Sequence, residues 1–413
     1  MSSDWNPQSW KALPATQLPN YSDLLAVERI TSEIRSRHPI VAFDSVLRLK
    51  ERLKALYASQ SDVLIHAGDC AETFKSCTPQ RVVRDSELIL SLSTAFAIGR
   101  ICGQFAKPRS QPIEFHNECG IIPAFRGDII NSFDPESRMV DPERMRKAHE
   151  LSMAMYRCLE TRHEEFYISH ECLLLPYEEC LIKRTEFEGF YSSSAHFLWI
   201  GDRTRDLNGS HLEFCRGIEN PVGIKVGPTS NPEEIKECVL RLNPLNEPGK
   251  VTVITRYGVG NAASHMPCLI EQLRGLHVLY QCDPMHGNTV LLESGKKTRY
   301  VESIKQEMAE VVDLHRSLGS RIHGLHLEVT GANVTECIGV NVSDPNLPQY
   351  ESLCDPRLNA VQAKHVVDFF YKILADQSRV PTPLSRLTTV DTTRSDSSNH
   401  SSDEERSVRT SLS

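Results

Sequence analysis

Eight short apolar runs, each ending in a cluster of polar or charged residues, restrict the fold of this chain more than any other feature. They are Val63–Ile65 before His66-Ala-Gly-Asp-Cys70, Ala95–Ile98 before Gly99-Arg100, Phe166–Ile168 before Ser169-His-Glu171, and Phe197–Ile200 before Gly201-Asp-Arg-Thr-Arg205. The remaining four are Val222–Ile224 before Lys225, Val251–Ile254 before Thr255-Arg256, His277–Tyr280 before Gln281-Cys-Asp-Pro-Met-His286, and Leu325–Leu327 before Glu328-Val-Thr-Gly331. Runs this short read as buried strands, and segments between them carry helical spacing, as at Met145, Ala148, Leu151, Met155 and Leu159. Eight βα units predict an α/β fold, a closed (β/α)8 TIM barrel, in which reacting groups gather at the C-terminal strand ends. Polar residues that merely end buried strands would explain one or two such clusters, not eight.

The organisation expected is an N-terminal extension over residues 1–60 packing on the barrel, a catalytic barrel over 61–376, and a disordered tail over 377–413. The extension includes a helical stretch from Asp44 to Tyr57. Residues 381–413 hold 15 Ser or Thr, too few apolar groups to offset the entropy of ordering. A net charge of −8 without a basic, aromatic-interleaved run excludes an extended nucleic-acid surface. Thirteen cysteines without CxxC pairing exclude a zinc ribbon and a secreted disulfide framework, and point to a reducing compartment. No membrane-spanning run and no signal or transit segment is legible, so a cytoplasmic protein is expected. Arg126-Gly-Asp128 reads as a structural turn.

Cys70, His286, Glu328 and Asp355 each follow a strand or lie in the loop after it, so they can converge on one rim. Taken singly, each has a duller role as a buried thiol, a satisfied imidazole or a salt-bridge carboxylate; their shared position is what suggests a metal. A mixed thiolate, imidazole and carboxylate set suits Mn, Co, Fe or Zn better than Mg or Ca. Arg100, Arg203, Lys225 and Arg256 end four strands. Four cations at one barrel mouth repel one another unless a multiply charged anion sits among them. Lys107-Pro-Arg-Ser110 joins two cations, Lys107 and Arg109, to the Ser110 hydroxyl and suits a second phosphate.

Five motifs then turn the pattern into a family: Gly68-Asp-Cys-Ala-Glu-Thr-Phe74, Gly103-Gln-Phe-Ala-Lys-Pro-Arg-Ser110, Ser169-His-Glu-Cys-Leu-Leu-Leu-Pro-Tyr-Glu178, Cys282-Asp-Pro-Met-His-Gly-Asn-Thr289 and Thr330-Gly-Ala-Asn-Val-Thr-Glu-Cys337. With Trp5-Asn-Pro-Gln-Ser-Trp10 and Cys354-Asp-Pro-Arg-Leu-Asn359, the chain from Trp5 to about Leu374 resembles the class II, or plant-type, 3-deoxy-D-arabino-heptulosonate 7-phosphate (DAHP) synthases. The resemblance implies that phosphoenolpyruvate is condensed with erythrose 4-phosphate, with phosphate released. It also implies a divalent metal, Mn favoured, on Cys70, His286, Glu328 and Asp355. Phosphoenolpyruvate falls to Arg100, Asp202, Arg203, Lys225 and Arg256, and the aldose phosphate to Lys107, Arg109 and Ser110. The catalytic candidates are Cys70, Asp202 and Lys225; a metal-held water or one held by Asp202 could attack C2, with Asp202 or Glu328 steering protons.

This sequence departs from the family pattern in several places. Asp202 stands where the family usually has Glu, Ala97 where it commonly has Lys, and His66-Ala67 where it has Gln-Gly. The segment from Cys70 to Arg100 is short, and between about Leu159 and Phe166 most of a helical insertion tied in relatives to oligomer contacts and feedback inhibition is missing. These departures keep alternatives open: a catalytically impaired regulatory paralogue, or the same chemistry on a modified aldose in a secondary-metabolite pathway. A homo-oligomer is expected from relatives, its size unspecified.

Overall fold

The eight apolar runs form eight parallel strands in a computed structural model that describes residues 5–163 and 165–376. They are β1 Leu64–Gly68, β2 Ala97–Arg100, β3 Phe166–Glu171, β4 Phe197–Ile200, β5 Val222–Val226, β6 Val251–Thr255, β7 Val278–Cys282 and β8 Gly324–Glu328. Each pairs with its sequence neighbours and β8 closes on β1, a closed (β/α)8 barrel as expected from the sequence. The predicted Ser/Thr-rich tail over 377–413 lies outside the described residues.

Two helices, α1 Leu24–Ser36 and α2 Phe43–Ala58, precede the barrel. The connections carry α3 Pro79–Leu92, α4 Glu143–Glu160, α5 Leu175–Cys180, α6 Ser210–Cys215, α7 Pro232–Leu242, α8 Ala262–Gln272 and α9 Val301–Ser317, and α10 Ala360–Ala375 follows β8. Their ends are set locally. Thr78 and Asn231 cap α3 and α7 with Pro next in line, and Asn359 with Gln362 forms a reciprocal capping box on α10. The α4 stripe buries Met145, Ala148, Met155 and Leu159.

Strand residues alternate between two environments. Ile65, Ala67, Leu198, Ile200, Leu325 and Leu327 join the large core under the helices. Leu64, Ile98, Phe197, Trp199, Ile254 and Leu279 form a second cluster inside the barrel with Leu49, Leu53 and Leu56 of α2. Because Leu64 and Phe197 open their strands and Ile98 and Leu279 come second in theirs, α2 plugs the N-terminal mouth. Three leucines fully removed from water contribute about 1.5–3 kcal/mol each. With that end stoppered by apolar groups, the polar side chains collect at the other.

At the Arg126-Gly-Asp128 turn, Gly127 has φ +97° and a Cβ there would lie 2.1 Å from the Phe105 carbonyl oxygen. Asp128 is buried and accepts from Phe74 N at 2.7 Å and from Arg144 at 3.0 Å, so the tripeptide is an internal brace. Among the described residues no helix is long and apolar enough to cross a membrane.

Candidate active site

Strand register brings the first site residues together. Gly68, the last residue of β1, pairs with Arg100 on one side and Glu328 on the other, and Cys70 lies two residues beyond it. Gly68 has φ +147° and a Cβ would meet the Arg100 carbonyl oxygen at 2.8 Å, so the strand exit that presents Cys70 needs glycine. Asp355 comes from the loop before α10. One ligand atom each from Cys70, Glu328 and Asp355 lies within 4.8 Å of the others. The His286 Nε2 joins them at 3.0 Å from Glu328 Oε1.

These donors ask for positive charge. The Lys107 ammonium lies 2.5 Å from Cys70 Sγ and against Asp355, while Lys297 reaches Asp355 Oδ1 at 2.8 Å. Arg299, with no exposed surface, donates to Glu328 Oε2 at 2.6 Å. Burial alone would raise the carboxyl of Asp355, but Lys107, Arg299 and Lys297 outweigh it and hold the group ionised. Glu328 is likewise kept ionised against its burial by His286, Arg299 and Arg100. Burial, with Cys354 and Glu328 nearby, pushes the Cys70 thiol up, so a bound cation would have to displace its proton. A buried sulfur, an imidazole and two ionised carboxylates therefore fit a borderline divalent metal.

Next to this cluster opens a cavity of about 310 Å³. Of the residues singled out from sequence, Arg100, Asp202, Arg203, Lys225, Arg256, Lys107, Arg109 and Ser110 line it together with Cys70, His286 and Asp355. Glu328 lies beneath it, fully buried. The cations are less bare than the sequence suggests. Arg100 donates to Glu328 at 3.1 Å, Arg256 to Asp202 at 3.2 Å, and Lys225 to Asp283. Their mutual repulsion is thus partly offset by internal carboxylates. Burial followed by Arg100 and Arg256 still lowers Lys225 to about 8, despite Asp283. Lys107 points into the donor cluster rather than outward beside Arg109 and Ser110. Arg109 turns to Glu114 at 3.3 Å, its backbone held by Gln17.

Asp202, one methylene shorter than the Glu usual in the family, is nonetheless fully engaged. It accepts from Arg205 Nε at 3.1 Å, Ser230 Oγ at 3.3 Å and Arg256. His66, another departure, lies inside the barrel under the cavity. Ser169 Oγ donates to the Gly99 carbonyl at 3.0 Å, so His66 Nε2 donates to Ser169 Oγ at 2.8 Å. Arg100 donates to His326 Nε2 at 2.8 Å, leaving His326 Nδ1 to donate to His66 Nδ1 at 3.1 Å. Burial, with Lys225 and Arg100 nearby, keeps both rings neutral. Gln281 Oε1 faces the same His66 Nδ1 at 3.3 Å, and exchanging the amide O and N removes the clash of two acceptors there. Arg100 thus rests on a string of hydrogen bonds with one direction.

Several cavity residues carry no role in the sequence reading: Gln104, Glu171, Trp199, Thr289 and Lys297. Asp283 lies behind them. Its Oδ2 accepts from His286 Nδ1 at 2.7 Å and from Lys225, and its Oδ1 accepts the Met285 and His286 N–H groups at 3.1 and 3.2 Å. Glu171 and Asp283 had a signal, since both close apolar runs. Lys297 and Arg299 arrive from the hairpin segment after β7, where no periodicity marks them.

Residues 5–164 and 155–370 match the sequence model of the Class-II DAHP synthetase family, the two matches overlapping at the end of α4. The phospho-2-dehydro-3-deoxyheptonate aldolase of Neurospora crassa is 35% identical over 444 aligned residues, covering 87% of this chain and 92% of the relative. The enzyme of the same name from Streptomyces coelicolor is 32% identical over 441, covering 89% and 97%. That of Mycolicibacterium smegmatis is 33% identical over 440, covering 88% and 94%. The chain belongs to the class-II DAHP synthetase family.

Proposed function

We infer that this chain is a metal-dependent transferase that condenses phosphoenolpyruvate with erythrose 4-phosphate to DAHP and phosphate, the first step of the shikimate pathway to chorismate and the aromatic amino acids. The observation that carries this reading is a single cavity with a cation group on one side and a thiol, imidazole and carboxylate set on the other, in a chain of this family. Arg100, Arg203, Lys225 and Arg256 hold the carboxylate and phosphate of phosphoenolpyruvate, and Asp202 fixes Arg256 and Arg205 around them. Arg109 and Ser110 take the aldose phosphate, with Lys107 between it and the metal set.

Cys70, His286, Glu328 and Asp355 hold a divalent metal, for which we favour Mn; when bound, it supplies Lewis-acid polarisation of the aldose carbonyl. The protein's own groups do the rest. They place C3 of the enol phosphate against the aldehyde carbon and balance the charge of the departing phosphate. We place the protein in the cytoplasm, consistent with thirteen cysteines that all remain free thiols, and as a homo-oligomer with no nucleic-acid or membrane partner.

Purified protein supplied with Mn should release phosphate from phosphoenolpyruvate only when erythrose 4-phosphate is added, and chelation should abolish the release. A binding-only paralogue gives none under any metal. A faster rate with an amino-substituted aldose would move the substrate assignment to a secondary pathway.

A further inference from the structure

Glu171 closes β3 and lines the cavity, where its register partner on β4 is Trp199. Only 9% of the residue is exposed, and its Oε1 has no hydrogen-bond partner among the described residues. Gly201 makes the space for it, since a Cβ at that position would lie 2.2 Å from this oxygen. A buried carboxyl oxygen without a partner is costly, and one kept in a reaction cavity calls for a chemical reason. Asp202, the other acidic group on this wall, already accepts from Arg205, Ser230 and Arg256.

Three cations surround Glu171, Lys225 on β5, Lys107 after β2 and Arg100 on β2, with the His286 ring after β7 beside them. Each favours the ionised form, yet burial outweighs them and raises the group above the usual glutamate range. Glu171 is thus a carboxyl able to carry a proton at a position where the opposite charges make its ionised form accessible. Such balance suits a group that must give a proton and then take one.

Resting on the function proposed above, we propose that Glu171 is the proton-transfer residue of the condensation. As phosphoenolpyruvate C3 bonds to the aldehyde carbon, the carbonyl π pair moves to its oxygen, which takes the proton of the Glu171 carboxylic acid. C2, left electron-poor, is attacked by water, and the Glu171 carboxylate takes one water proton. The C2–O bond to phosphate then breaks with its electron pair leaving on phosphate, while the new hydroxyl becomes the C2 carbonyl and its proton leaves with the phosphate. Glu171 ends protonated as it began, and no oxidant or co-reactant is required.

The test is Glu171→Gln, which keeps the shape and cannot exchange a proton, measured at saturating phosphoenolpyruvate so that Lys225 deprotonation is not what is read. The proposal predicts a kcat lower by roughly 100-fold or more, with KM for phosphoenolpyruvate and Mn binding little changed. Wild-type kcat should fall as pH rises and the acid form is lost, and the residual rate of the variant should lack this limb. A variant that keeps kcat within tenfold, or keeps the alkaline limb, overturns the proposal. Glu171→Asp covers a Gln variant that does not fold: it should retain the limb at a lower rate, and its loss there counts against the proposal. Asp202→Asn should raise KM and keep the limb; if it instead removes the limb, Asp202 is the proton carrier. Wild-type protein with no aldose-dependent phosphate release would refute the enzyme assignment itself, and Glu171 with it.

Discussion

Replacing Asp283 by Asn should uncouple the two halves of the cavity. Its two carboxylate oxygens accept four donors: Lys225 Nζ and His286 Nδ1 on Oδ2, and the backbone N–H groups of Met285 and His286 on Oδ1. Asparagine offers one carbonyl oxygen, so in either orientation two of these donors face an NH2. Asp283 has no exposed surface, and water cannot fill in. Losing a hydrogen bond to a charged group costs about 1.5–3 kcal/mol, and a buried donor left unmet costs about 1–3 kcal/mol more. Part of this falls on folding and part on the ligands that Asp283 orients. For the metal, losing the group that fixes a ligating imidazole should weaken affinity by roughly 10- to 100-fold. Lys225 loses its counter-ion and should release its proton below the wild-type value of about 8, so KM for phosphoenolpyruvate should rise. Titration of chelator-treated protein with Mn by calorimetry, alongside KM measured over pH, reads both effects. Unchanged Mn affinity and unchanged KM would refute the bridging role.

Three further outcomes follow from the same geometry. Lys225 is charged below about pH 8 and neutral above it, so the wild-type kcat/KM for phosphoenolpyruvate should decline through that range, whereas Lys225→Met should be low and flat; normal kinetics in that variant would remove Lys225 from the site. Gly68→Ala places a Cβ 2.8 Å from the Arg100 carbonyl oxygen at φ +147°, and should destabilise by at least about 1–3 kcal/mol in denaturant titration. Leu53→Ala, in the α2 plug and fully buried, should cost about 2–5 kcal/mol of stability while leaving KM for both substrates unchanged in the folded fraction.

The barrel was legible because its strands are buried on both faces, which turns each into a continuous apolar run ended by polar residues. The same rule placed Cys70, Arg100, Lys225, Arg256 and Glu328 at one rim, since parallel strands deliver their C-termini to one side. What stayed hidden depends on register and loops. No local pattern says that Gly68 pairs with both Arg100 and Glu328, or that Asp283 faces Lys225 across the barrel. Without those pairings the cations looked unopposed. Lys297 and Arg299 were equally invisible, because a hairpin carries them back to Asp355 and Glu328. Leu49, Leu53 and Leu56 announce a helix, but only the packing shows that they fill the barrel floor.

We propose that Cys70, His286, Glu328 and Asp355 hold one ion that the reaction needs. Loading chelator-treated protein with Co(II) tests this most directly, because a sulfur ligand produces a thiolate-to-cobalt charge-transfer band. The band should saturate at one equivalent per chain in step with aldose-dependent phosphate release, and Cys70→Ser should lose both together. Full activity without a thiolate band, or an unchanged band in Cys70→Ser, would contradict it.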